Sequence, residues 1–516
     1  MFMKLIVIGN GMAGYKFCEK LVNRATGQFE IAVFGEEQRP AYDRVHISDF
    51  FSGKTAEDLS LASAAWYAEN GIALHVGDPV IRINREARTV HSFRGLTEHY
   101  DILVFATGSA AFVPPIPGIE KAGVFIYRTI EDLEMMGEYA KQVKKAAVIG
   151  GGLLGLEAAK ALLDLGVRDT AVIEYSARLM PRQIDDAGAS ILSMRLADLG
   201  LRIYTNTHTS AVLGEECITG LQFTNGEKLE TEMLVISAGI RPRDELAADS
   251  GLETGGRGGI AVNDLLQTSD PCVYAIGECA LHQNMIYGLV APGYEMAEVL
   301  VSNLCGHASG QKYFTGFDMS TKLKLVGTDV ASFGDPFISG NGIHSLILND
   351  TLKGIYKRIN ISADGKQLLG GILVGDASSY NMLSQTCKNK LVLSPNPEEL
   401  ILPQFTGREK PGHGLSSLPD DALICSCEGI TKGAICRAVT EDGCENVEAV
   451  KKCTKAGTGC GGCVPMIKDL MLATMKSEGK YVRNVICEHF SYSRQELFDL
   501  IKIHDLKNYN DVLNAL

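Results

Sequence analysis

Four cysteines near the carboxyl end are spaced to do chemistry: Cys425-x-Cys427 in "ALICSCEGITKGAI" and Cys460-x-x-Cys463 in "KAGTGCGGCVP". Three uses are open to them: a disulfide staple, a zinc knuckle, or ligation of an iron–sulfur cluster. Fourteen cysteines in a chain without a signal peptide suit free thiols and metal ligands better than disulfides. Zinc knuckles normally present C-x2-4-C at both ends, and C-x-C clamps a tetrahedral ion poorly. Four thiolates can hold a [2Fe–2S] cluster, two to each iron, and the glycines of "TGCGGC" offer amides to its sulfurs.

Two glycine motifs carry a different chemistry. "KLIVIGNGMAGYKFCEKLV" runs an apolar strand into Gly9-x-Gly11-x-x-Gly14 and then a helical pattern, and "KAAVIGGGLLGLEAAKALLDLG" repeats this at Gly150, Gly152 and Gly155. In such a turn the first glycine permits the bend, the second lets backbone approach a pyrophosphate, and the third lets the helix pack on the strand. The helix N-terminus attracts the anion. "FEIAVFGEE" ends a following strand in Glu36 and Glu37, and "DTAVIEYSARLMP" ends another in Glu174. Each acid is placed to bond a ribose hydroxyl. A carboxylate at Glu174 favours NADH and repels the 2′-phosphate of NADPH, while Arg178 nearby keeps NADPH open.

The elements that must position these residues follow from the pattern. Strand, glycine turn and helix, occurring twice, predict an α/β chain with two Rossmann-like domains for two dinucleotides. "YDILVFATGSAAFVPPIPG" and "DPCVYAIGECA" are further apolar strands ending in glycine turns. Residues 316–403 alternate short strands and predict an α+β domain with a mixed sheet; in the reductases that the paired glycine motifs resemble, such a domain serves core and dimer contacts, and the resemblance implies a homodimer. "TGREKPGHGLSSLPDDA" has linker composition. Between the cysteine pairs, "TKGAICRAVTEDGCENVEAVKKCTKAG" predicts two short helices, the first capped by Thr431. They would bring the cysteine pairs together. Cys436, Cys444 and Cys453 fall off the paired spacing and read as ordinary helix or loop residues.

At 516 residues the chain is too long for a single core. A net charge of −13 argues against nucleic acid or an anionic membrane as partner. "MFMKLIVIGNGMAG" is neither signal peptide nor membrane anchor, so the cytoplasm is the expected location.

Over residues 3–310 these motifs resemble the two-dinucleotide-binding-domain flavoprotein reductases. The resemblance implies FAD at the first glycine turn and NAD(P)H, with NADH favoured, at the second. It also implies FAD contacts at Thr107 and Gly108 of "ATGS" and at Gly277 and Glu278 of "AIGE", where aspartate is usual at Glu278. Arg44 in "AYDRVHISDF" matches an arginine beside the flavin, and Asp49 stands where a lysine is often found. Glu157 in "GLLGLE" matches a position near the nicotinamide. The redox thiols of the disulfide reductases are absent: Cys18 reads as a buried small hydrophobe, and no thiol occurs from Arg39 to Ala140. The flavin's acceptor is therefore expected elsewhere in the chain.

The cysteine tetrad resembles the small helical BFD-like (bacterioferritin-associated-ferredoxin-like) [2Fe–2S] domain over residues 422–476. "VICEHFSYSRQELFDLIKIHDLKNYNDV" then reads as an incomplete second copy over 480–516, with Cys487 on Cys425, Ser493 on Thr431, Leu497 on Ile435 and His489 in place of Cys427. With "RLMPRQID" and "ICEHFSYSRQEL", the whole order resembles the NAD(P)H-dependent nitrite reductase family. The implied domains are FAD-binding (1–118 and 243–312), NAD(P)H-binding (119–242), interface (313–405), linker (406–421) and [2Fe–2S] (422–476). The chain carries no downstream cysteine pattern for a [4Fe–4S] cluster, so the implied acceptor is a sirohaem/[4Fe–4S] or molybdenum reductase module on another chain. An electron-transfer subunit of assimilatory nitrate reductase and a zinc-containing flavin redox sensor are the alternatives.

Overall fold

The run from Leu5 to Ile8 has no polar face, as a strand covered on both sides requires. It forms the strand Met3–Ile8, with Leu5, Ile6 and Val7 fully buried. Parallel neighbours Phe29–Phe34 and Ile102–Phe105 flank it. Ile72–His75 and Val273–Ala275 complete a five-stranded parallel sheet as its two edges. Helix Met12–Arg24 follows the first strand and packs on helix Val290–Cys305. The computed structural model describes residues 2–25, 27–306, 310–325, 327–402, 418–425, 428–458, 463–479 and 494–504, with 506 and 512 besides.

A second parallel sheet repeats the plan. Its order is Arg202–Tyr204, Asp169–Ile173, Lys145–Ile149, Met233–Ile236 and Val124–Ile126. Helix Leu153–Asp164 leaves its central strand and buries Leu156, Ala158, Ala159 and Leu162. Both glycine motifs thus sit at the carboxyl end of a central strand, where open α/β sheets bind ligands.

The third sheet differs from the mixed sheet expected. Thr321–Leu325, Thr328–Gly334, Leu368–Val374, Ile355–Ile361 and His344–Asp350 pair antiparallel throughout. Three of its four pairs join consecutive strands as hairpins, without the helical crossover that a parallel pair would need. Tyr356 and Arg358 reach from this sheet to Asp185, the cap of helix Asp186–Asp198, at 2.6 and 3.0 Å.

The chain divides into two compact units, Met1–Arg408 and Glu409–Leu516. In the second, a short hairpin of Leu423–Cys425 with Ile430–Thr431 precedes helices Lys432–Thr440, Val447–Thr454 and Val464–Ser477. Thr431 and Asn446 cap the first two by accepting backbone hydrogen bonds at 3.3 and 2.8 Å. Ile435, Val450, Ile467 and Leu470 form its buried interior. Arg494–Ile503 is helical where the sequence repeat sets it against Lys432–Thr440. Residues 403–417, which hold most of the expected linker, and Cys487, His489 and Ser493 lie outside the described residues. Among the described residues no helix is long and apolar enough to cross a membrane.

Candidate functional site: two dinucleotide cradles and a thiolate loop

The first cradle begins at Gly9, whose φ of +111° admits few side chains, and where a Cβ would collide with the Ala106 carbonyl. A Cβ at Gly14 would collide with the Gly9 carbonyl, so the third glycine serves close packing. At Gly11 a Cβ would meet nothing within 4 Å. The space above the turn is open. Helix Met12–Arg24 has no side-chain cap and no acid in its first turn, leaving its amides for an anion. Asn10 Nδ2 is a buried donor without a partner, while its Oδ1 accepts from Tyr67 at 2.8 Å. An open turn, uncapped amides and an orphaned donor fit the pyrophosphate of FAD.

The side chains around it form one connected set. Glu36 is ion-paired with Arg243, which holds its carboxyl below the usual range. Thr107 donates to the Arg243 carbonyl at 2.6 Å, and the Arg243 amide donates to Gly108 at 3.0 Å. Arg44 pairs with Glu37, donates to the Arg128 carbonyl at 3.2 Å, and lies 4.8 Å from the Tyr42 ring centroid. Glu278 accepts from Ser109 at 2.5 Å and from Arg128 at 3.1 Å. Gly277, at φ +77°, is buried against Ala13 of the first glycine helix. Sequence reasoning missed Asn10, Ser109, Arg128 and Arg243. The Nε of Arg128 is likewise buried without a partner.

The second cradle repeats the geometry. Gly150 has φ +119°, a Cβ there would strike the Ser237 carbonyl, and one at Gly155 would strike the Gly150 carbonyl. Gly152 caps helix Leu153–Asp164 with open space and no acid in the first turn. Glu174, 7% exposed, accepts from the amides of Gly151 and Ser176, each at 2.6 Å. Its carboxylate is thereby fixed beside the glycine turn. Arg178 is committed elsewhere: it donates to Ile184 and Pro181 carbonyls at 3.0 and 3.4 Å and pairs with Asp186 at 3.0 Å. Tyr175 stacks on His208 with centroids 4.0 Å apart.

Glu157 lies on the helix that packs against the segment Ile47–Ser52, just past Arg44. Burial pushes its carboxyl up to about 7, opposed by His46 and reinforced by Asp49. Asp49, which stands where the family resemblance implies a lysine, pairs with Lys54 at 2.7 Å. No basic residue therefore answers Glu157 from that position. Cys18 is fully buried, and burial pushes its thiol to about 12, which suits a packing residue.

In the second unit Cys425 is fully buried and its Sγ accepts the Gly457 amide at 3.5 Å. That contact joins Cys425 to Gly457, in the segment that precedes the second cysteine pair in the chain. Cys463, 9% exposed, stands at the N-terminus of helix Val464–Ser477. Buried sulfurs, a donating amide and a helix N-terminus fit thiolate ligands to a cluster. Cys427 and Cys460 lie outside the described residues, and among the described residues no three potential ligands converge.

Sequence comparison gives this architecture its class. The pyridine nucleotide-disulphide oxidoreductase profile matches residues 3–299, the rubredoxin NAD+ reductase C-terminal domain 320–391, and the BFD-like [2Fe-2S] binding domain 423–472. The chain belongs to the pyridine nucleotide-disulphide oxidoreductase family, as an FAD-containing oxidoreductase that uses NAD(P)H and carries a [2Fe–2S] domain. Within it the chain is 46% identical, over 99% of its length, to the nitrite reductase (NADH) large subunit of Escherichia coli, of which it spans 60%. It is 36% identical to the assimilatory nitrate reductase electron transfer subunit of Bacillus subtilis, covering 65% of that protein. A ferredoxin reductase structure from Rhodopseudomonas palustris shares the fold, with a TM-score of 0.68 at 23% identity over 77% of this chain and 96% of that one.

Proposed function

We propose that the chain is the NADH-oxidising, electron-delivering part of a nitrite-reducing system, acting in the cytoplasm as a homodimer. FAD would be held at Gly9, Gly11, Gly14, Glu36, Arg44, Thr107, Gly108, Gly277 and Glu278. NADH would be held at Gly150, Gly152, Gly155 and Glu174, with Glu157 beside the nicotinamide, and the cluster by Cys425, Cys427, Cys460 and Cys463. When bound, FAD accepts hydride and the cluster carries single electrons, so the pair converts two-electron into one-electron chemistry. The chain's residues bind, orient and set the electrostatics. The acceptor would be a sirohaem/[4Fe–4S] module on another chain.

The observation that supports this reading is the Gly457 amide on the buried Cys425 Sγ, which brings Cys425 to the segment that precedes the second cysteine pair in the chain. The likeness to the nitrate reductase subunit favours a second reading, in which a molybdenum reductase module accepts the electrons. Iron and acid-labile sulfide per FAD, measured on anaerobically purified protein while NADH is added, test the common core. About two of each per flavin, bleaching together with the flavin, is the expected result. Zinc without sulfide would end both readings. Reconstitution with each reductase module then separates them.

A further inference from the structure

Cys444 and Cys453 belong to neither cysteine pair, yet their sulfurs lie 3.2 Å apart. Covalent closure asks for a further approach of about 1.2 Å. The two thiols are unequal. Cys444 is 3% exposed beneath helix Lys432–Thr440, its amide bound to the Ala438 carbonyl at 2.9 Å, whereas Cys453 is exposed on helix Val447–Thr454. One thiol can meet a dissolved oxidant, and the other waits behind it.

We propose that Cys444 and Cys453 are an oxidisable dithiol that closes to an intradomain disulfide under peroxide. The Cys453 sulfur attacks one peroxide oxygen, the O–O bond breaks, water leaves, and Cys453 becomes a sulfenic acid. The Cys444 sulfur then attacks the Cys453 sulfur, the S–O bond breaks, and a second water departs with the Cys444 proton. Two thiols lose two electrons, and one hydrogen peroxide becomes two waters. Burial and the neighbouring sulfur raise the Cys444 thiol to about 11, consistent with a partner that reacts only when Cys453 has been activated.

The position gives the bond a consequence. Cys444 precedes the Asn446 cap of helix Val447–Thr454 and Cys453 lies in its last turn, so the disulfide would brace the helix end to end. The helix stops at Lys455, with φ +63°, and Gly457 follows with its amide on Cys425. Oxidation at the pair would thus stiffen the lead into the loop of Cys460 and Cys463.

The full chain, carrying flavin and cluster, is treated with equimolar hydrogen peroxide, alkylated, and mapped by peptide mass spectrometry. The expected result is a Cys444–Cys453 cross-link with a loss of about 2 Da, reversed by dithiothreitol, before iron content falls. Cys453→Ser should abolish the link. Cys444→Ala should leave Cys453 as a sulfenic acid that dimedone traps, a readout that survives if the first variant folds poorly. Complete alkylation of both cysteines after the cluster has bleached, or cross-links among the cluster cysteines alone, would overturn the proposal. Iron and sulfide counted on the untreated sample show separately whether the cluster reading holds.

Discussion

At Glu157 the burial of a single carboxyl makes stability depend on pH. In the unfolded chain the group releases its proton near the ordinary value of 4.5, whereas in the fold it holds the proton to about 7. Between those values the folded state binds more protons, so stability falls as pH rises and stays lowered above the folded value. Glu157→Gln removes the penalty. The variant should match the wild type near pH 4.5 and exceed it at pH 8 by at most about 3 kcal/mol, less whatever solvent screening of this half-buried group takes away. Urea unfolding at the two pH values reads the difference, and a gap that does not grow with pH would defeat the assignment. Coenzyme choice is argued at the same scale. Glu174 presents a fixed carboxylate beside the glycine turn, and the donors of Arg178 are spent on Ile184, Pro181 and Asp186. NADH should be preferred over NADPH by at least about tenfold in kcat/KM, as a carboxylate at this place predicts. Arg178→Ala should leave that ratio unchanged. A selective loss of NADPH use in this variant would show that the arginine reads the 2′-phosphate after all.

Among the elements, the two strand–turn–helix units are where residue type and backbone constrain each other most tightly. At Gly150 the positive φ and the Ser237 carbonyl both exclude a Cβ, so Gly150→Ala must move the turn proposed to hold NADH. The cost is on the order of 1–3 kcal/mol of local strain, and the first cradle is built from other segments. The variant should retain FAD while NADH-driven flavin bleaching slows at least about a hundredfold, as misplacement by about 1 Å allows. Loss of FAD together with NADH reactivity would mean that the two cradles are not separable. These units were legible in the sequence because a positive φ and a close approach leave glycine as the residue that fits. The two short helices between the cysteine pairs were legible, the first through Thr431 as its cap. Asn10, Ser109, Arg128 and Arg243 were not. Arg128 meets Glu278, and Arg243 meets Glu36, across more than a hundred residues of chain, and no local spacing encodes such a meeting. The Cys444–Cys453 contact spans only nine residues and was hidden for another reason: it depends on backbone geometry, the positive φ of Gly443 and the cap at Asn446, which cysteine spacing does not show. The strand runs after residue 320 were visible, but their antiparallel pairing depends on partners that periodicity does not name.

For the molecule as a whole, the decisive property is division of labour between its two compact units. The first contains every residue proposed to hold FAD and NADH, and the second contains every proposed cluster ligand. Among the described residues the thiols beside the first cradle are poor redox partners: Cys18 is sealed in the core and Cys279 is buried with its sulfur 3.3 Å from the Ile276 carbonyl. Burial also pushes the Cys279 thiol up, so it too is a poor nucleophile. The proposed route for electrons leaving the flavin is therefore the cysteine tetrad. Cys460→Ser tests that route. Serine replaces a thiolate with a poor iron ligand, so the variant should lose cluster iron and sulfide and deliver electrons to a nitrite-reducing module at least about a hundredfold more slowly. NADH should still bleach the flavin at the wild-type rate, because every residue proposed to hold either dinucleotide belongs to the first unit. Stopped-flow absorbance of the flavin, read beside nitrite consumption in the reconstituted system, separates the two steps. Undiminished nitrite consumption by a variant shown to lack iron would mean that the flavin passes its electrons directly to the partner, leaving the second unit a docking platform.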